Sequence, residues 1–321
     1  MAVYTEISDE ELDALLDQYD LGEVMSCKGI AEGVENSNYL LHTGIGYYIL
    51  TLYEKRVRED DLPFFLGLME HLAGHGFVSP RPIAARDGET LKKVAERPAA
   101  IIEFLDGRSV KRGTAQHCAL LGETLARLHT ISSDFSIQRP NTLSIASWRP
   151  LFESCEPTKV AGLDPLIFSE IEKEIGYLEQ QWPEDLPSGV IHADLFPDNI
   201  FFLNDRVSGV IDYYFACNDF FAYDLAICLN AWCFESDNSF NITKARKLLN
   251  GYGAVRDFSR RELDYLPLLC RGAAVRFLLT RLYDWINQVE GALVKPKDPM
   301  EYYKKLQFHQ AVNTVSAYGL D

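Results

Sequence analysis

The stretch His192-Ala193-Asp194-Leu195-Phe196-Pro197-Asp198-Asn199 narrows the possible folds of this chain more than any other. It sets an Asp and an Asn five residues apart, with a His two before the Asp, and an apolar run ending in Val210-Ile211-Asp212 follows. Gly189-Val190-Ile191 reads as a short buried strand delivering the loop. Residues 200–203 and 207–211 read as a hairpin around Asn204-Asp205-Arg206. Asp212 then falls where a strand ends, a place that fixes a carboxylate against a metal ion. The array suits phosphoryl transfer from ATP. Asp194 would accept the proton of an attacking hydroxyl, while Asn199 and Asp212 would hold the Mg²⁺ that neutralises the phosphates. His192 fits an architectural role, its imidazole bonding backbone near the metal loop. An Asp-rich surface turn with a helix cap is the plainer alternative.

Charge and cysteine usage bound the rest. The chain has 321 residues, enough for two lobes with separate cores, and carries 47 acids against 31 bases for a net charge of −16. There is no Lys/Arg-rich run, so the electrostatic footprint of a nucleic-acid binder is missing. The seven cysteines are scattered without a C-x-x-C pair, which reads as buried, reduced thiols in a cytoplasmic protein. The first residues lack the pattern of a signal peptide, and no apolar run approaches the roughly 20 residues a spanning helix needs. The expectation is a soluble protein with no membrane partner; its oligomeric state stays open.

Periodicity changes along the chain. Ser8 and Glu11 form a capping box ahead of a helical face of Leu12, Leu15, Leu16 and Tyr19. Strand-like runs cover 23–30, 37–42 and 47–53, with a helix over 62–75 and a buried strand over 99–105. Helical patterns then dominate, at 114–130, 220–232, 242–251, 260–289 and 301–317. The fold class is therefore α+β: a β-rich lobe over 1–102, a connecting segment over 103–107, and a helical lobe over 108–321.

A β lobe, a short connector and a helical lobe bearing H-x-D-x4-N plus Asp resemble a two-lobed protein-kinase-like fold. The chain is similar to the aminoglycoside phosphotransferase-like group of small-molecule kinases and, within it, to the homoserine kinase type. The similarity rests on residues 32–39, 48–56, 121–129, 190–200 and 210–214. The resemblance implies ATP and Mg²⁺ as cofactors and L-homoserine as the small-molecule substrate. It implies a nucleotide site with the triphosphate under the first hairpin, at Gly33 and the backbone of Asn36, Ser37 and Asn38, although Gly29 and Gly33 fit an ordinary hairpin turn equally. Glu103 and Leu105 match the connector where adenine binds, or a buried strand that simply ends.

Two positions depart from the family pattern. Thr51 occupies the slot of the usual phosphate-binding Lys, and Phe65 falls about where its Glu partner should be. Lys55 or Arg56 would then supply the cation, or both are solvated surface bases. On the substrate side, Arg276 is the candidate for the carboxylate, with a structural ion pair as the alternative. Tyr213, Tyr214 and Asp219 are expected along the cleft floor, Asp219 as an ammonium partner. Trp148, Trp232, Phe234, Tyr283 and Trp285 suggest an aromatic-lined pocket. His129 reads as a structural His, and Asp224 as a tie between the catalytic loop and the helices or a plain helix residue. Two alternatives remain: a kinase for a choline-like amino alcohol or an aminoglycoside, and an inactive kinase-like scaffold motivated by the missing Lys–Glu pair.

Overall fold

Alternating burial defines the strand that opens the first hairpin: Ser37, Tyr39, Leu41 and Thr43 point inward, and the three residues between them are half-buried. That period of two is what a sheet with one covered face requires. The computed structural model describes residues 5–30, 36–54, 57–156, 166–287 and 296–320. Among them, the chain forms two units, one of Met1–Arg108 with Phe135–Ile137 and Ser208–Tyr214, the other of Ser109–Asp134, Gln138–Val207 and Phe215–Asp321.

The first unit is built on an antiparallel sheet of β1 (Val24–Gly29), β2 (Ser37–Thr43), β3 (Gly46–Leu52), β4 (Lys92–Val94) and β5 (Arg97–Glu103), in the order β1-β2-β3-β5-β4. Register sets Tyr39 opposite Leu50 and Thr51 opposite Ala100. Leu41, Leu50, Leu52, Ala99 and Ile101 are each fully buried, together with Leu12 and Leu15 of helix α1 (Asp9–Leu16). Each such Leu contributes about 1.5–3 kcal/mol through burial. The Ser8–Glu11 capping box is formed as the sequence indicates. Helix α2 (Leu62–Gly74) starts with Pro63 in its first turn, buries Phe64, Phe65, Leu68, Met69 and Leu72, and is followed by Gly76 at φ 72°.

In the second unit, α3 (Ala115–Ile131) crosses a helix anticipated from its periodicity, Ile242–Gly253. Their backbones approach at Gly122 and Gly251: an added Cβ would lie 2.1 Å from the Leu248 carbonyl oxygen at the first and 2.2 Å from that of Ala119 at the second. Two helices have no counterpart in the sequence reading: α4 (Ile145–Glu153), which contains Pro150, and α5 (Ile167–Gln181). The two-stranded sheet of β6 (Ser188–Ile191) and β9 (Cys217–Phe220) brackets the loop and hairpin between them; that hairpin is β7 (Ile200–Leu203) and β8 (Arg206–Val210). Helix α6 (Phe221–Trp232) follows directly, then α7 (the Ile242–Gly253 helix), α8 (Arg260–Ile286) and α9 (Pro299–Gln310). The helical pattern expected over 301–317 breaks at Ala311 and resumes as a single 3₁₀ turn at Val315–Tyr318, where Thr314 and Ser316 bond to each other. No helix among the described residues is long and apolar enough to cross a membrane.

Candidate active site

Strand β6 ends at Ile191, and the next three residues are held group by group. The N–H of His192 donates to Asp224 Oδ2 at 2.8 Å, and that of Ala193 to Asp224 Oδ1 at 2.9 Å. The N–H of Asp194 donates to His192 Nδ1 at 3.3 Å. Ala193 sits at φ 62°, a left-handed conformation that costs a non-glycine residue about 1–2 kcal/mol. Its carbonyl accepts from Arg276 Nη1 at 2.6 Å. Downstream, Asn199 Nδ2 donates to the Asp194 carbonyl at 2.8 Å and to Asp194 Oδ2 at 3.3 Å, which leaves the Asn199 amide oxygen as its acceptor. Trp232 Nε1 donates to the Leu195 carbonyl at 2.8 Å.

Asp224 organises this loop from the first turn of α6. It is fully buried and also accepts from His129 Nε2 at 3.1 Å, while His129 Nδ1 faces the Tyr252 hydroxyl at 2.8 Å. Burial alone would raise the Asp224 carboxyl; the hydrogen bond and charge of His129, with help from His192, outweigh it and hold the group below the usual carboxylate range. Burial pushes His129 down against the pull of Asp224. At neutral pH a carboxylate therefore accepts from a neutral imidazole, whose Nδ1 accepts from Tyr252.

The first unit carries Asp212, at φ 65°, and Tyr213, fully buried beside Ser79. Thr51 is buried and donates to Asn38 Oδ1 at 2.8 Å. Tyr214 meets Phe65 edge to face at 5.7 Å and Tyr53 at 5.6 Å, with its hydroxyl beside Tyr53 and Thr51. Burial and then the charge of Asp212 push the Tyr214 hydroxyl up to about 12. The two departures from the family pattern, Thr51 and Phe65, thus pack against one tyrosine. The side chains of Asn36 and Ser37 serve the fold: Asn36 Oδ1 accepts the N–H of Glu54 at 3.2 Å, and Ser37 Oγ donates to Glu54 Oε1 at 2.7 Å. Gly33, Lys55 and Arg56 lie outside the described residues. At the end of β5, Glu103 exchanges hydrogen bonds with the backbone of Arg81, at 2.9 Å and 3.1 Å, and Leu105 follows in a half-buried loop.

The remaining expected positions separate. Asp219 lies on β9, its carboxylate accepting from Asn141 Nδ2 and from the Phe220 N–H, both at 2.7 Å; burial pushes its pKa up against these bonds. Of the arginines spaced along α8, Arg271 pairs with Glu174 and Arg281 with Glu301, each at 2.6 Å. Arg276 is only 2 % exposed and forms no ion pair among the described residues; its guanidinium stacks over Phe277 at 4.6 Å. Of the aromatic residues expected to line one pocket, Trp232 and Phe234 border one cavity, together with Pro197 and Lys244. Trp148 is buried against Trp182, Trp232 supports the catalytic loop, and Tyr283 is exposed.

A neighbourhood of Asp194 that the sequence reading passed over gathers on the second unit. Phe196 meets Phe277 edge to face at 5.0 Å, Phe277 meets Tyr302 at 5.2 Å, and Lys297 Nζ lies 5.5 Å from the Phe196 ring centre. Lys297 is exposed and forms no ion pair among the described residues. The alternation of Phe196 with Asp194 along the loop was the available signal.

Each by itself, Asn199 offers an amide oxygen and Asp212 a carboxylate on a left-handed backbone, oxygen donors of the kind a hard cation takes. The model of the phosphotransferase enzyme family matches residues 26–258. The chain is 60% identical over its whole length to the homoserine kinases of Parvibaculum lavamentivorans and Paramagnetospirillum magneticum, and covers all of each. Among solved structures, an amicoumacin kinase in complex with AMP-PNP, Ca²⁺ and its antibiotic superposes with a TM-score of 0.72 at 15% identity, over 95% of both chains.

Proposed function

The chain belongs to the phosphotransferase enzyme family, and from that premise we propose that it transfers the γ-phosphoryl group of ATP to the side-chain hydroxyl of L-homoserine. The products are O-phospho-L-homoserine, ADP and a proton. The observation that carries the substrate is identity of 60% to homoserine kinases without a gap in coverage on either side. The kinase-like fold carries the chemistry.

Asp194 orients the hydroxyl and takes its proton late, as suits a weakly basic carboxylate beside a loose transition state. The amide of Asn199 holds the Asp194 carboxylate through Nδ2 and would offer its oxygen to the metal. On the family resemblance we assign Mg²⁺ to Asn199 and Asp212; when bound, it would shield the phosphate charges. We assign the adenine to the backbone of Glu103 and Leu105, and the phosphates to the backbone near Gly33, Asn36, Ser37 and Asn38, with Thr51 behind them. The substrate carboxylate requires a cation. Arg276 already serves the Ala193 carbonyl, so we assign the carboxylate to Lys297, which is exposed, unpaired among the described residues and lies over the ring of Phe196, two residues after Asp194. Asp219 and Tyr213 shape the surroundings. With all seven cysteines free, the enzyme acts in a reducing compartment, the cytoplasm.

The test is ADP release from Mg²⁺-ATP with L-homoserine, beside L-serine, choline and kanamycin. Turnover with homoserine alone is expected. Turnover with a different alcohol would remove homoserine and keep the kinase chemistry; ATP binding without turnover on any of them would leave an inactive scaffold.

A further inference from the structure

Asp194 shares a peptide unit with Ala193: the Ala193 carbonyl and the Asp194 N–H are its two ends. Arg276 Nη1 grips the first at 2.6 Å and His192 Nδ1 the second at 3.3 Å. Upstream, both carboxylate oxygens of Asp224 hold the N–H groups of His192 and Ala193. Four backbone groups of the loop are thus fixed, three by donating and one by accepting. With Ala193 at φ 62°, the orientation of the 193–194 peptide decides where the Asp194 side chain leaves the backbone. The strained conformation survives only if its surroundings over-determine it.

Arg276 is an uncommon way to hold a carbonyl. It comes from α8, 83 residues from Ala193, and its charge is buried without an ion pair among the described residues. Its Nε has no acceptor, and its guanidinium lies over the rings of Phe277 at 4.6 Å and Phe215 at 5.7 Å. Its charge is felt by the nearby Asp219 carboxylate and the Tyr223 hydroxyl lies beside it, yet it closes no ion pair with Asp219 among the described residues. Its charge-assisted hydrogen bond to the backbone goes to the peptide that aims Asp194.

We propose that Arg276 is a positioning residue for phosphoryl transfer, acting through the Ala193 carbonyl to fix the peptide that carries Asp194, and not a ligand of the substrate. This rests on the role given to Asp194 under the proposed function. A charge-assisted hydrogen bond accounts for roughly a 10- to 100-fold effect in rate when it is made only in the productive geometry.

The experiment compares Arg276→Met and Arg276→Gln with the parent enzyme by steady-state kinetics and by hydrogen exchange of the backbone amides, which needs no substrate. The expected result is a kcat lower by about 10- to 100-fold for Arg276→Met, with the KM values for ATP and homoserine within about threefold. Arg276→Gln, which keeps a neutral donor, should retain more of the rate. Exchange at residues 192–194 should accelerate in both variants while α3 and α7 keep their protection. An unchanged kcat, or a rise confined to the KM for homoserine, overturns the proposal; the second outcome would make Arg276 the carboxylate ligand. Unchanged protection at 192–194 also overturns it. If Arg276→Met does not fold, Arg276→Gln alone decides by the same criteria. A parent enzyme inactive on homoserine would count against the substrate, and the exchange measurement would still judge Arg276.

Discussion

Replacing Asp224 by Asn should cost the protein about 3–5 kcal/mol of stability and most of its activity, and the arithmetic can be done bond by bond. The carboxylate accepts three hydrogen bonds: Oδ2 takes the His192 N–H and His129 Nε2, and Oδ1 takes the Ala193 N–H. An Asn has one oxygen for these three donors. With that oxygen in the Oδ2 position, two bonds survive as neutral ones, and the new amide N–H₂ faces the N–H of Ala193. A buried donor without an acceptor costs about 1–3 kcal/mol, and losing the charge from the other two bonds costs about 1 kcal/mol each. The opposite rotamer strands two donors and is worse. Because His129 and His192 outweigh burial and hold the Asp224 carboxyl below its ordinary range, its contribution is complete at neutral pH and is lost only as pH falls through the folded value, below 3.8. Urea unfolding at neutral pH therefore reads the full effect. Asp264→Asn, which removes an exposed pair with Arg260, is the control and should change stability by less than about 1 kcal/mol. A loss below about 1 kcal/mol in Asp224→Asn, with kcat within twofold of the parent, would refute the reasoning that Asp224 organises the loop.

Three further outcomes are expected. Asp194→Asn should reduce kcat by at least about 100-fold while leaving ATP affinity within twofold, measured by ADP release and calorimetry; near-normal turnover would remove Asp194 from its role. Lys297→Met should raise the KM for homoserine about tenfold or more with kcat little changed, and an unaltered KM would place the substrate carboxylate elsewhere. Acid should weaken the fold through His309: burial first, then the charges of Lys305 and Arg271, push its pKa down to about 3 from 6.5. The unfolded chain takes up this proton first, so stability is untouched above the unfolded value and is lost from there down toward about 3, at about 1.4 kcal/mol per pH unit. Between neutrality and about pH 5 the parent should lose about 2 kcal/mol more than His309→Gln, and equal losses would show that His309 is not held neutral.

What the sequence made legible was whatever is local. His192, Asp194 and Asn199 lie within eight residues, so their spacing announces a strand, a tight loop and a hairpin, and the structure has β6, the loop and β7–β8 there. The capping box at Ser8 is local in the same way. What was hidden depends on distance along the chain. Nothing near Arg276 says that its partner is a carbonyl 83 residues earlier, and an Ala between His192 and Asp194 gives no hint of a left-handed backbone, as a Gly would have done. Helix α4 was missed because Pro150 reads as a breaker, although the helix carries it. Of the aromatic residues expected along one pocket, Trp232 and Phe234 do border one cavity, whereas Trp148 is buried in a core pair with Trp182 and Tyr283 is exposed.

The missing Lys–Glu pair is the feature that most invites the view of a dead scaffold, and the packing of the first unit argues against damage. Removing one member of a buried ion pair leaves an uncompensated charge and costs about 3–5 kcal/mol, whereas replacing both by groups that fit is often neutral or better. Thr51 and Phe65 are such a joint replacement: both are buried, and both meet Tyr214, two residues after Asp212. Thr51 satisfies its hydroxyl on Asn38, and Phe65 closes edge to face on the tyrosine ring. The side chain they meet therefore belongs to the same short segment that carries Asp212, the carboxylate proposed for the metal. A chain drifting from catalysis would have no physical reason to repack this segment while keeping Asp212 at a strained φ of 65°. On that proposal the substitution is a different solution for supporting Asp212, with the phosphate charges left to the metal and to cations outside this cluster.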